Sequence, residues 1–582
     1  MLAALLYHLW RVPSAMVFFR TRTLLMKMTG KSILRCLFVV LLPAVYVLFI
    51  GRYGWSDTDD GFILGYAWRV LHGDVPYRDF VIVRPPASIY FHTIWFRLLP
   101  ENWVYLGARY VYVLQILLSA VLSVNLIRRH LQVPAGQFLP WYGMALAGFC
   151  LSVGALTPMP WHTVDGVFFG VLALFLVSRD SWPAVLSGGV ALFIACTTKQ
   201  SFYPLLPLYL LLLVWRGAHA KAAFLAVILM GLAGAFRAWL TALDAWPDFL
   251  RQTSGATTFQ DAINAGFLNY LKMPWRPFLY GLALAGSCRW LAKKRGWHHA
   301  PSNDFALMAL AFACEMFYRH SKTGEWSSAH ALGWSHFAFW LALVAVVMLS
   351  KRKWINRDGV LIWLGLLGMA WCSSISWGFQ TPLLFATPLV VGGYLLFASS
   401  KSSSSSQPKW AYIGLMVLMA IGLAPAWHPY RDARRPELVC DLGTVSSKLS
   451  HIVTTVQNCD KLGEALTWAS EFKQDRVAFL PAFTLQGYLT GLLDSPLRSN
   501  WPMAAELGQE SDAYTKDLDA SVHYVIIDIQ EGDEFSRSEP GSKFHVPSVA
   551  HVRQRWVLLR HGRFHELYGH PDLRRKPFTQ IP

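Results

Sequence analysis

The chain has 582 residues, of which 54% are hydrophobic and only 15% charged, with 26 Trp and 36 Phe, a balance that excludes an ordinary soluble enzyme. Its net charge of +17 falls in short basic clusters between apolar runs, as in the cytoplasmic loops of a multispanning protein. No basic helix interleaved with base-stacking aromatics is present, which excludes a nucleic-acid binder.

Residues 1–19 are apolar but broken by Arg11 and Pro13, too short for a span; they read as an interfacial segment, or as an upstream extension if translation starts at Met26 or Met28. The first span is expected at 33–50. Arg20, Arg22, Lys27, Lys31 and Arg35 cluster before it or at its start and place its N-terminal side in the cytoplasm, so residues 1–32 form a cytoplasmic or interfacial segment. The chain then emerges into Trp55-Ser-Asp-Thr-Asp-Asp-Gly-Phe62, which carries Asp57, Asp59 and Asp60. Carboxylates crowded at a bilayer surface repel one another and lose hydration, which raises at least one pKa towards the range of a general base or a metal ligand. The competing reading is a solvated acidic loop.

Two amphipathic pieces follow, 60–71 and 86–99, expected to lie in the interface plane and to complete a first extracytoplasmic loop over 51–102. Further spans are expected at 103–127, 138–156, 163–177, 183–197, 202–215, 222–240, 275–291, 304–317, 331–349, 359–375, 381–398 and 410–426, about thirteen in all, with each inner loop basic. The outer loop 241–273 is longer than most connections, which points to a functional role. Ser402–Ser406 reads as a flexible cytoplasmic linker. Residues 428–582 change character: Asp475–Leu480 and His523–Asp528 are strand-like, with a helical pattern at 461–473, so a soluble extracytoplasmic α/β domain is expected. Cys440 and Cys459 lie in this part, where a disulfide is plausible; the other six cysteines sit in or beside apolar runs as packing residues. The fold class is therefore an α-helical polytopic membrane protein, its transmembrane domain over 33–427, in a cell (inner) membrane.

This topology gathers Asp57, Asp59, Asp60, Arg78, Asp79, Arg84, His92, His162, Asp165, Lys199, Gln200, Arg251, Arg276, Arg319 and His330 on the outer face, as expected of a site that binds an anion and moves a proton. Asp59-Asp60-Gly61, then Gly73-Asp-Val-Pro-Tyr-Arg-Asp-Phe80 and Arg84-Pro-Pro86, resembles the first extracytoplasmic loop of GT-C glycosyltransferases. Similar enzymes are the family 39-like bacterial proteins, protein O-mannosyltransferases and lipid A aminoarabinose transferases. The resemblance extends to the number and orientation of spans, to Thr198-Lys199-Gln200, and to a terminal domain with Leu480-Pro481 and Tyr488-Leu-Thr-Gly491. Many relatives carry Asp-Glu where this chain has Asp59-Asp60.

The resemblance implies inverting transfer of a sugar from a polyprenyl-phosphate donor to an acceptor hydroxyl of a glycan, lipid or protein. Asp59 matches the first acid of the family pair and is the expected base, with Asp60 and Asp57 in reserve. Lys199 and Arg84 are candidates for the donor phosphate. The alternatives are interfacial snorkelling for Lys199 and a salt bridge from Arg84 to Asp79 or Asp74. Asp165 could orient the acceptor or, with His162, hold a divalent cation, or it could merely cap a helix start. His92 reads as a packing or headgroup contact. The outer Trp161, Trp326, Trp334 and Trp377 suit sugar stacking or an interfacial belt. The rival functions are a lipid or glycan transporter or flippase, which should show internal repeats and interrupted helices, and a non-catalytic membrane scaffold.

Overall fold

The structure, a computed structural model, describes residues 30–132, 141–154, 158–179, 181–254, 263–272, 275–297, 301–323, 335–375, 386–398, 416, 419–420, 422–429, 431–472, 476–491, 497–537 and 545–572. The expectations for residues 1–29, the Ser402–Ser406 tract, most of the span at 410–426, Trp326, His330, Trp334, Trp377 and the side chain of Arg319 lie outside them.

Helix α1 (Gly30–Tyr46) contains Pro43 and passes into a π turn at Val47–Gly51. Helices α2 (Phe62–Leu71) and α3 (Ala87–Leu98) follow, then α4 (Glu101–Arg128), α5 (Trp141–Val153), α6 (His162–Val177), α7 (Trp182–Thr198), α8 (Leu205–Trp215), α9 (His219–Ala242) and α10 (Trp246–Ser254). Beyond these come α11 (Trp275–Lys294), α12 (Pro301–Thr323), α13 (Ser335–Lys351), α14 (Arg357–Ser374) and α15 (Thr387–Ala398). Helix α4 is the hub, packing on α1, α3, α5, α6, α14 and α15. Its small residues Ala108, Ser119, Ala120 and Ser123 are buried and let neighbouring backbones approach closely.

Among the described residues, α4 and α9 are long and apolar enough to cross a membrane unaided. They differ in surroundings. The apolar window of α4 is 72% buried in protein, whereas that of α9, of mean hydropathy 1.9, is only 11% buried. A 24-residue apolar helix so bare would carry a large hydrophobic cost in water and fits hydrocarbon. Helix α1 likewise turns Leu34, Leu37, Val40, Leu41 and Val45 outward.

The C-terminal part is α/β. Strands β1 (Cys440–Asp441) and β2 (Val453–Thr454) pair antiparallel. A four-stranded sheet has the order β3 (Val477–Leu480), β4 (Tyr524–Asp528), β6 (His565–Gly569), β5 (Val557–His561), with β3 and β4 parallel and the other pairings antiparallel. Strands β3 and β4 are buried at every position, so they read as unbroken apolar runs, as covered parallel strands do. Helix α16 (Val456–Glu471) packs against β1 and β6. Thr455 caps it by accepting from Asn458 N–H, and Leu462, Ala465, Trp468 and Ala469 form its buried stripe. The Cys440–Cys459 disulfide ties this helix to β1.

Helix α2 is covered more completely than an amphipathic sequence requires. Phe62, Ile63, Leu64, Gly65, Tyr66, Ala67 and Arg69 are all buried, because α3 packs on one side and the C-terminal domain on another. The close approach is made by glycines: a Cβ at Gly65 would sit 1.8 Å from Thr484 O, and one at Gly61 2.1 Å from Leu485 Cγ. The isolated bridge Tyr53–Val453 and the Gly54 N–H donated to Val453 O extend the contact to β2.

Candidate active site at the junction of loop and C-terminal domain

The three acids of the turn after α1 are drawn apart by three different cations. Asp60 points inward: its Oδ2 accepts from Arg109 Nη2 at 2.9 Å and from Ser56 N–H at 3.0 Å, and both ionic side chains are fully buried. Arg109 also donates to the carbonyls of Gly51 and Gly54, each at 2.8 Å. One guanidinium of the central helix therefore holds both the π turn and the acidic turn in place. Burial pushes the Asp60 carboxyl up to about 6, with the Arg109 charge opposing the shift. Asp60 Oδ1 is buried without a hydrogen bond.

Asp57 and Asp59 point towards the C-terminal domain. Asp57 Oδ2 lies 2.8 Å from Lys461 Nζ on α16, and Lys461 also pairs with Asp528 at the end of β4. Burial works against the Lys461 charge, but Asp57, Asp528 and Glu531 outweigh it and hold the ammonium protonated above its ordinary range. Burial, with repulsion from Asp57 and Asp528, holds the Glu531 carboxyl far above the usual range. Asp59 Oδ2 lies 3.3 Å from Arg431 Nη1, whose side chain is still 38% exposed. Of the three paired cations, Arg431 is the most open to solvent, ahead of Lys461, while Arg109 is fully buried.

One residue separates Asp60 from Phe62, whose ring leads into a second group of charges. The Arg84 guanidinium stacks on Phe62 at 5.1 Å, and the rings of Trp161, His162 and Trp501 surround the same phenyl. Arg84 does not pair with Asp79 or Asp74, which take Arg78 and Arg69 respectively. Instead its two terminal nitrogens each donate at 2.5 Å to a carboxylate oxygen of Glu506, and both residues are buried. Lys199 stands where α7 gives way to a 3-10 turn, its Nζ 3.3 Å from Thr163 Oγ1. Burial, aided by the Arg84 charge and opposed by Glu506, pushes the Lys199 ammonium well below its usual range. It is buried rather than extended to the membrane surface, which removes the basis for reading it as a snorkelling residue.

Asp165 is not a helix cap. It lies one turn into α6, fully buried, where its Oδ1 accepts from Gln115 Nε2 at 2.8 Å and its Oδ2 lies 3.3 Å from His92 Nε2. Trp95 donates its indole N–H to His92 Nδ1 at 3.0 Å, so the neutral imidazole carries its proton on Nε2 and presents it to Asp165. His92 is therefore part of a buried polar junction of α3, α4 and α6 rather than a headgroup contact. His162 is buried against Trp161 with its Nδ1 unpaired. Among the described residues no group of three or more His, Cys, Asp or Glu is arranged to hold a metal.

Helix α10 and the turn after α7 close the site from the side. Gln252 on α10 accepts from Ile82 N–H and donates to Tyr77 O, Gln200 donates to the carbonyls of Val83 and Thr253, and Arg251 lies 3.2 Å from Glu510. Arg276 lies over its neighbour Trp275. Sequence reasoning missed Arg109, Gln115, Arg431, Lys461 and Glu506. A lone Arg or Gln within an apolar run was a usable signal for the first two; nothing local marked the other three.

The architecture is thus a helical bundle with an apolar outer surface, carrying an α/β domain that clamps an acidic loop through ion pairs. No family model and no curated protein matches the chain. Among solved structures it is similar to ArnT from Cupriavidus metallidurans in the apo state, with a TM-score of 0.39 and 11% identity over 93% of this chain and 98% of that one. The same protein bound to undecaprenyl phosphate gives a TM-score of 0.37 and 11% identity over 92% and 98%. The Archaeoglobus fulgidus oligosaccharyltransferase tethered with an acceptor peptide gives 0.43 and 10% identity over 93% and 74%.

Proposed function

We propose that the chain is a membrane glycosyltransferase that moves a sugar from a polyprenyl-phosphate donor to an acceptor hydroxyl at the extracytoplasmic face, with inversion. The observation that carries this reading is the run from an acidic turn, through Phe62, to two buried cations, Arg84 and Lys199, with the bare apolar helix α9 packed on the helix that leads to Lys199. A base and an anion site beneath one small domain suit a reaction whose leaving group is a lipid phosphate. The Cys440–Cys459 disulfide supports an oxidising compartment for the domain, with about thirteen crossings and residues 428–582 outside.

In the proposed step the acceptor oxygen attacks the anomeric carbon while its proton passes to Asp59. The bond from the anomeric carbon to the phosphate oxygen breaks, and the phosphate leaves with the electron pair on the opposite face of the sugar, which inverts the centre. Arg84 and Lys199 offset the charge developing on the phosphate. Asp60 anchors the turn through Arg109, Asp57 joins it to the C-terminal domain, and Asp165 with His92 fixes α3 against α6 beneath the acceptor. His162 stays neutral and lines the wall.

Asp59→Asn keeps the shape of the turn and removes the base. Purified Asp59→Asn protein should lose glycan modification while binding lipid phosphate as the native chain does. Transfer activity that survives the substitution would remove Asp59 from the mechanism; survival of Asp57 and Asp60 variants as well would remove the enzyme.

A further inference from the structure

Glu506 lies 422 positions after Arg84 in the chain, yet its carboxylate is the fork that receives both terminal nitrogens of that guanidinium. The pair is buried, with 3% of Glu506 and 9% of Arg84 exposed. A carboxylate held this way presents two oxygens to a guanidinium much as a phosphate does. The same buried region holds Lys199, whose charge is influenced by both Arg84 and Glu506. A fixed anion beside an anion site weakens binding, so a purely attractive site has no use for it.

We propose that Glu506 is a positioning residue that sets the charge of the phosphate site to match a singly charged phosphodiester donor and to disfavour the doubly charged phosphomonoester product. This rests on the phosphate role given above to Arg84 and Lys199. A sugar linked to a lipid phosphate is a diester with one negative charge. With Lys199 held protonated by the bound phosphate, Arg84 and Lys199 supply two positive charges and Glu506 one negative, so the site with donor bound is neutral. Once the sugar has left, the lipid phosphate is a monoester whose second ionisation lies at about pH 6, so near pH 8 it brings two negative charges. The site then carries an excess negative charge in a buried space where water cannot screen it. Glu506 stays on Arg84 and competes with the product for it, which favours release. The C-terminal domain thereby places a charge in the lipid-phosphate site as well as clamping the acidic loop.

The test compares two probes with purified full-length protein in detergent: decaprenyl phosphate and its methyl ester, a sugar-free diester. With native protein, affinity for the monoester relative to the diester should fall as pH rises from 6 to 8. Glu506→Gln keeps the shape and removes the charge. It should tighten the monoester about tenfold at pH 8, change the diester less than threefold, and abolish the fall of the ratio with pH. Glu506→Asp retains the charge and should keep the native ratio. Equal shifts for both probes, or no shift in Glu506→Gln, would overturn the proposal. If Glu506→Gln does not fold, the native pH dependence decides: a ratio that is flat or rises with pH overturns it. Lys199→Ala separates the two levels of the argument. Undiminished binding of both probes there defeats the phosphate site itself, whereas lost binding beside an unchanged Glu506→Gln ratio defeats only the role of Glu506.

Discussion

Replacing Arg109 by Met tests whether Asp60 is an anchor rather than the base. The guanidinium is completely buried and donates to Gly51 O, Gly54 O, Asp60 Oδ2 and the Tyr105 hydroxyl. Methionine fills much of the volume but leaves a buried carboxylate with only neutral donors, the Ser56 N–H and the Tyr105 hydroxyl, together with two carbonyls that lose their donor. Breaking a buried ion pair from one side costs about 3–5 kcal/mol. The charge part has a ceiling, because Asp60 can take up a proton instead: holding a carboxyl neutral at pH 7 costs roughly 4 kcal/mol relative to an ordinary aspartate. Asp60→Asn leaves the complementary defect, a buried cation. The double variant Asp60→Asn/Arg109→Met removes both charges and should recover at least about 2 kcal/mol relative to the sum of the single losses. The assay is thermal unfolding followed by tryptophan fluorescence in detergent, over the full two-by-two cycle and with lipid-phosphate binding measured in parallel. Additive single effects, or an Arg109→Met protein as stable as the native one, would refute the anchoring role.

Two further outcomes follow from the same geometry. Because Asp60 in the folded chain holds its proton up to about pH 6 rather than the ordinary 3.8, its ionised form is the destabilising one. That cost is fully present above pH 6 and fades as pH falls towards 3.8, a span of about 3 kcal/mol. The melting temperature of native protein minus that of Asp60→Asn should therefore increase as pH drops from 7 to 5; parallel curves would count against the shift. Gly65→Ala places a methyl against the Thr484 carbonyl, where no flexible side chain can yield. It should push the C-terminal domain off α2, lowering stability by about 1–3 kcal/mol and exposing the α2–Thr484 contact to protease, while an unchanged digestion pattern would show that the approach is not tight.

The helices were legible from the chain because hydropathy is local. A span expected at 103–127 forms at Glu101–Arg128, one at 222–240 forms at His219–Ala242, and the pieces expected at 60–71 and 86–99 form as Phe62–Leu71 and Ala87–Leu98. The strands at Val477–Leu480 and Tyr524–Asp528 showed for the same reason, being covered on both faces. The β5–β6 hairpin was missed: the apolar run Val557–Leu559 is cut after three strand residues by Arg560 and His561, and β6 carries only Leu567 and Tyr568 between His565, Glu566 and Gly569.

Local composition sets the content of each segment: which stretches are apolar enough to bury, and that an acidic turn directly follows the first of them. Which charge meets which emerges only in the folded chain. Asp57 finds Lys461, Asp59 finds Arg431, Asp60 finds Arg109 and Arg84 finds Glu506, although nothing in the spacing of these residues specifies the pairings. The physical reason is that burial and periodicity are written into neighbouring residues, whereas an ion pair depends on the approach of two surfaces. Here that approach is set by the bare backbones of Gly61 and Gly65 against Thr484 and Leu485.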